Sequence, residues 1–343
     1  MAHQVETMAY AGKVPWHGLG RAVSSEMTPD EMVDAAGLNW TVSKRPAYTT
    51  ANPSVTNLFN PTESSEFLFV PDQHFLVRDS DNSVLSPAGK SYVPFQNREV
   101  MQFFKKFTDA GQMKMETAGS LKEGRDIWGL AKLSHDFKLP GGDEVKGDTL
   151  LNNSHQVGKS MTVMLTAIRV VCANTLGMAL GAEGQKFRVL HLQMFDEEIM
   201  KAAEEALGLS TVQMTQFQEQ AEFLAKKKAT DDAVQKFIAE LFQPNLLVER
   251  GKVADTLNTL PPLRDEFKRT ASNVMEAIET SPGANLASSK GTWWGVLNGV
   301  TYVQDHQKRA TSQGNALHSA WFGSGAVTKR KALGKALEYA RVA

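Results

Sequence analysis

The chain has 343 residues and one cysteine, Cys172, so it can bury one large core or two ordinary ones, and no intrachain disulfide framework can form. Lys and Arg total 37 against 38 Asp and Glu, which excludes a whole-molecule attraction to nucleic acid and restricts any such site to a local patch. No apolar run reaches the length of a membrane span and MAHQVETMAY lacks a basic-then-apolar leader, so a cytoplasmic protein with no membrane partner is expected.

In chain order, Gly12 to Gly20 is glycine-dense, with Trp16 as its one large apolar group, and is expected to dock by that ring. Its spacing matches neither GxGxxG nor a Walker loop. Thr28-Pro29-Asp30-Glu31 opens a short helix to Ala36: Thr28 caps, Pro29 takes the first helical position, and two acids face the positive helix end. Strand text follows at Trp40 to Ser43, Phe67 to Val70, His74 to Arg78 and Val84 to Leu85, around a polar, Pro-bearing loop at Ala51 to Ser65. Asn97 then caps a helix to Phe107 whose Val100, Phe103, Phe104 and Phe107 recur at i, i+3, i+4, i+7.

Met113 to Leu133 reads as a hairpin around Glu123-Gly124, and Val145 to Asn153 as a further strand. The polar connection Ser154 to Lys159 leads into Met161 to Cys172, a β-branched run without Pro or Gly that predicts a buried strand. A short helix capped by Asn174 or Thr175 is expected next, then a short strand at Phe187 to His191. After Leu192 the spacing turns helical: Asp196 to Leu207, Thr211 to Lys228, Asp231 to Phe242, Leu263 to Glu279, Thr292 to Lys308 and Gly325 to Arg341. The fold class is therefore α+β, an antiparallel β-meander packed with helices and followed by a mostly helical C-terminal region. The change of character divides the chain at 1–192 and 193–343.

The eight histidines and Cys172 show no HxxxH, CxxC or HExxH spacing, so neither a metal nor a cofactor is expected from motifs. His17, His155, Cys172 and His191 could still meet in space. Cys172, beside Val170 and Val171, reads as a buried small hydrophobe. Gly323-Ser324-Gly325 lacks the first glycine of GxSxG, so a hydrolase elbow is rejected. The C-terminal part mixes cations with aromatics, among them Trp293, Trp294, Tyr302, Trp321 and Phe322. Such a mixture suits single-stranded nucleic acid, where bases stack on rings and cations follow phosphates. The same tryptophans lie at helical spacing with Val296, Leu297 and Val300, which equally suits a core.

Three stretches resemble an uncharacterised phage and plasmid protein family built on a domain of unknown function: PWHGLG at 15–20, NNSHQVGKS through RVVCANTL at 152–176, and GTWWGVLNGVTYVQDH with SAWFG at 291–306 and 319–323. Gln156-Val157 stand where the family tends to carry Asp-Gly. The resemblance implies a mobile-element protein without an assigned activity, and a meander with a basic rim is similar in outline to single-strand annealing recombinases. The resulting expectation is a non-enzymatic protein of replication or recombination that binds single-stranded DNA as a homo-oligomer. Its cations are Lys146, Lys159 and Arg169 of the meander and Lys329, Arg330 and Lys331 of the tail. The alternatives are a metal-dependent nucleotide or nucleic-acid hydrolase built on the His/Cys cluster, and a host-directed interaction protein.

Overall fold

The computed structural model describes residues 5–12, 19–50, 67–169, 171, 174–178, 187–192, 196–208, 210–243, 265–308 and 319–342. Its backbone is a mixed sheet built around the four-strand antiparallel meander β6 (Met113–Leu121), β7 (Asp126–Leu139), β8 (Asp143–Ser154) and β9 (Ser160–Arg169). Lys122, Glu123 and Gly124 all take positive φ in the β6–β7 turn, the backbone that the Glu-Gly signal anticipated. At one edge β1 (Val5–Ala11) lies antiparallel to β6, and β2 (Arg21–Val23) lies parallel to β1. At the other edge β10 (Asn174–Met178) and β11 (Phe187–Leu190) both pair with β9.

The expected helix at Asn174 is a strand. Every residue of β9 but Ile168 is buried, and a strand buried on both faces leaves a costly open edge unless another strand satisfies its amides and carbonyls. The pairing of Asn174 to Met178 with Leu165 to Arg169 supplies those partners and overrides local capping preference. A second, three-stranded antiparallel sheet contains β3 (Val42–Thr50), β4 (Phe67–Arg78) and β5 (Val84–Gly89). The expected loop over 51–65 and the docking role of Trp16 fall outside the described residues.

The helices among the described residues are α1 (Pro29–Ala35), α2 (Asn97–Met101), a 3-10 turn at Gln102–Phe104, α3 (Lys105–Asp109), α4 (Glu197–Gly208), α5 (Ser210–Lys226), α6 (Asp231–Phe242), α7 (Asp265–Thr280), α8 (Trp293–Tyr302) and α9 (Ser324–Val342). Thr28 caps α1 in a full capping box with Glu31. The cap of α2 is Gln96, one residue earlier than Asn97, because the Asn97 side chain is drawn inward to donate to the Leu38 and Trp40 carbonyls. Period-2 alternation splits the meander into two apolar faces. Ile127, Ala131, Val145, Leu151, Val163 and Leu165 join the core with α1, α2 and α5 to α9, whereas Trp128, Leu130, Leu150 and Met164 face the other way, under Trp321 and Phe322. One apolar cluster therefore runs from the sheet into the C-terminal helices. Among the described residues no helix is long and apolar enough to cross a membrane.

Candidate nucleic-acid interface

Two of the six expected cations form interior ion pairs, Arg169 of the meander and Lys329 of the tail, which corrects their assignment as DNA-contacting side chains. Arg169 is 3 % exposed: its Nε and Nη2 donate to the two Asp143 carboxylate oxygens, both at 2.7 Å, and Nη2 also donates to Ser289 Oγ and the Gly283 carbonyl. Asp143 further accepts from Ser288 Oγ and Trp294 Nε1, so β8 and β9 are tied to the segment leading into α8. Lys329 is fully buried and its Nζ lies 2.5 Å from Asp305 Oδ1. The reason is common to both: a desolvated cation persists only where acids and carbonyls replace its water, so neither side chain can reach a phosphate. Arg330 is half-buried, and burial lowers its pKa. Lys159 and Lys331 are exposed.

Lys146 stands in an acidic setting. A bulge in β7 between Lys132 and Asp136 places those two residues opposite Asp148 and Lys146 of β8, and Lys132 Nζ bonds Asp136 at 2.8 Å. A neighbouring irregularity in β6 falls at Glu116. Burial pushes the Glu116 carboxyl up, and Asp148 is pushed well above the usual range by burial and by the Glu116 and Asp136 charges. Both Asp148 oxygens are buried without a hydrogen-bond partner. Lys146 thus faces acids across the strand pair, with Asp136 directly opposite it.

The NNSH stretch is a structural joint. Asn153 donates to the Phe95 carbonyl, His155 Nε2 bonds Asn97 Oδ1 at 2.9 Å, and Tyr92 donates to the Ser154 carbonyl. His191 donates from Nδ1 to the Val93 carbonyl and stacks on Tyr92 at 4.9 Å. Burial drives His155 down to about 3, with His191 nearby adding to the effect, and burial alone drives His191 to about 4. Both are neutral structural rings at pH 7. His17 and Cys172 lie outside the described residues, and among those described no group of His, Cys, Asp and Glu side chains is spaced to hold a metal ion. Trp293 and Trp294 belong to the core.

The exposed aromatics are elsewhere, on the three-stranded sheet. Tyr48, Phe67, Phe69 and Phe75 are 57, 66, 54 and 36 % exposed, and they are all of the exposed Phe and Tyr among the described residues. Tyr48 and Phe69 pair across β3 and β4 with rings edge to face at 5.9 Å, and Arg45 sits opposite Phe75. Four consecutive apolar residues, Phe67 to Val70, ordinarily mark a strand buried on both faces. Here the first three face solvent instead. Cations flank this sheet: Lys90 is exposed and lies 3.5 Å from Asp72, Arg125 Nε donates to the Leu85 carbonyl while its Nη2 lies 3.8 Å from Glu123, and Val157 N donates to Ser86 Oγ, which fastens the turn carrying Lys159 to β5. The sequence carried a signal for this ribbon in its unalternated Phe67 to Val70 run, but the C-terminal aromatics outweighed it.

No curated protein and no solved structure matches this chain. A family profile described as a domain of unknown function, DUF932, matches residues 84–321, which include the meander, the NNSH joint and α8 but not β3 or β4. The match covers more than half of the chain, which belongs to the DUF932 family.

Proposed function

We propose that this chain is a mobile-element protein of replication or recombination that binds single-stranded DNA as a homo-oligomer, with the aromatic ribbon of β3 and β4 as its contact surface. The supporting observation is the exposure of Tyr48, Phe67, Phe69 and Phe75 on one narrow sheet, with Tyr48 and Phe69 in ring contact, since large apolar side chains left exposed together on a folded chain mark a contact surface. Every base presents a π-face, so stacking on such rings contributes about 1 to 3 kcal/mol per base without sequence preference. Of the six cations first considered, Lys159 is the one in a turn fastened to β5 of this sheet, where Arg125 also bonds and which exposed Lys90 follows. Three phosphate contacts give a salt slope of only about −2 on logarithmic axes, so repeated protomers on one strand supply the remaining affinity.

Fluorescence anisotropy with a labelled oligothymidine, titrated with salt, tests this. The wild type binds at low salt, and Phe67→Ser combined with Phe69→Ser weakens binding at least tenfold without lowering the thermal midpoint. Absence of binding at low salt, or unchanged binding by the double variant, overturns the proposal.

A further inference from the structure

Ser324, set aside in the sequence for want of a hydrolase elbow, lies in a constellation that the DNA reading leaves unused. Lys308 Nζ is 2.8 Å from Ser324 Oγ and 3.2 Å from Ser319 Oγ, and the two hydroxyls are 3.3 Å apart. Three elements build this triangle. A π-helical turn at Val303–Gln307 ends with Lys308 in extended backbone, its amide donating to the Val303 carbonyl. Ser324 is the first residue of α9 and is exposed. Ser319 accepts from the Gly325 amide, and a Cβ on Gly325 would stand 2.9 Å from the Ser319 carbonyl, so this approach requires glycine. The nearest acid along the chain, Asp305, is bound to Lys329 and leaves Lys308 without a carboxylate among the described residues. Burial lowers the Lys308 pKa, the condition an amine base needs.

We propose that Ser324, Lys308 and Ser319 form a serine–lysine acyl-transfer site acting on short apolar esters or amides, with Ser324 as nucleophile and Lys308 as general base. Serine–lysine pairs are a known variant of nucleophile activation, and the geometry here meets the hydrogen-bond requirement. In the first step Ser324 Oγ bonds to the substrate carbonyl carbon while its proton passes to Lys308 Nζ, which acts in its unprotonated form. The carbonyl oxygen becomes an oxyanion beside the positive end of α9, a 19-residue helix. The tetrahedral adduct then expels the alkoxide or amine, which takes the proton from Lys308 through the Ser319 hydroxyl. Water, deprotonated by Lys308, attacks the acyl-Ser324 ester; the acid leaves and Ser324 regains its proton. Net, one carbonyl substrate and one water give an acid and an alcohol or amine, with no other reactant. Trp321 and Phe322, immediately before the Gly323-Ser324 pair, are half-buried against the Trp128 cluster and fix this end of the chain on the sheet.

The test uses the full chain with a fluorophosphonate, which replaces its fluoride on an activated serine, followed by peptide mass spectrometry. The expected result is one adduct on Ser324, formed at least a hundredfold more slowly in Lys308→Met, together with p-nitrophenyl acetate hydrolysis that Ser324→Ala abolishes. Circular dichroism melts check that both variants fold. If Lys308→Met does not fold, Ser324→Cys serves instead: its thiol is expected to react with iodoacetamide at least tenfold faster than free cysteine. No adduct on Ser324, equal labelling in a folded Lys308→Met, or an ordinary thiol rate in Ser324→Cys overturns the proposal.

Discussion

Replacing Asp143 with Ala probes whether Arg169 is an interior strut. The carboxylate is fully buried and accepts two bonds from Arg169 and one each from Ser288 and Trp294, at 2.6 to 2.9 Å. Its loss leaves the guanidinium buried without its carboxylate, against neutral groups such as the Ser289 hydroxyl and the Gly283 carbonyl. Breaking a buried pair from one side costs about 3 to 5 kcal/mol, because the surviving charge keeps its desolvation penalty. That is a large fraction of the roughly 5 to 15 kcal/mol that holds a typical domain folded. Urea unfolding followed by circular dichroism should show the midpoint falling accordingly for Asp143→Ala. The joint change Asp143→Leu with Arg169→Met should recover most of the loss, since no charge is then stranded. A loss below about 1 kcal/mol for Asp143→Ala, or a double variant no better than the single, refutes the strut.

Three further outcomes follow from the same interior. His155 and His191 refuse protons in the folded state down to about 3 and about 4, while the unfolded chain binds them near the ordinary histidine value of about 6.5; stability should therefore be full above about pH 6.5 and fall by up to about 1.4 kcal/mol per pH unit per histidine as pH drops, measured by urea titrations from pH 7.5 to 4.5. Asp148 has its folded pKa raised, so its burial penalty is absent at low pH and grows as pH rises above the ordinary carboxylate range; Asp148→Asn should gain on the wild type in thermal midpoint as pH rises from about 4, and a constant difference would contradict this. Gly295→Ala would place its Cβ 2.1 Å from the Ser289 carbonyl oxygen and should cost roughly 1 to 3 kcal/mol in a urea melt.

The meander, the Thr28 cap of α1 and the C-terminal helices were legible because local chemistry and tertiary packing agree there: alternation, turn glycine and helical spacing each matched the burial that followed. Asn174 was misread since a cap signal is local whereas the demand of the β9 edge is not. β1 escaped notice in a segment judged by its glycines, although VETMAYA pairs with β6 along most of its length. Cations were misplaced for a related reason. A Lys or Arg in sequence carries no mark of whether an acid distant in the chain will meet it, and the partners of Arg169 and Lys329 are 26 and 24 residues away. The exposed ribbon of β4 and the Lys308 triangle likewise depend on which surfaces remain uncovered once the chain has folded.

Ultraviolet cross-linking of the full chain to an oligothymidine, with the attached peptides identified by mass spectrometry, tests the central claim most directly. Adducts on the peptides carrying Tyr48, Phe67, Phe69 and Phe75 are the predicted result. Adducts confined to the α9 peptides around Lys329 to Lys331, with the β3 and β4 peptides unmodified, would contradict it.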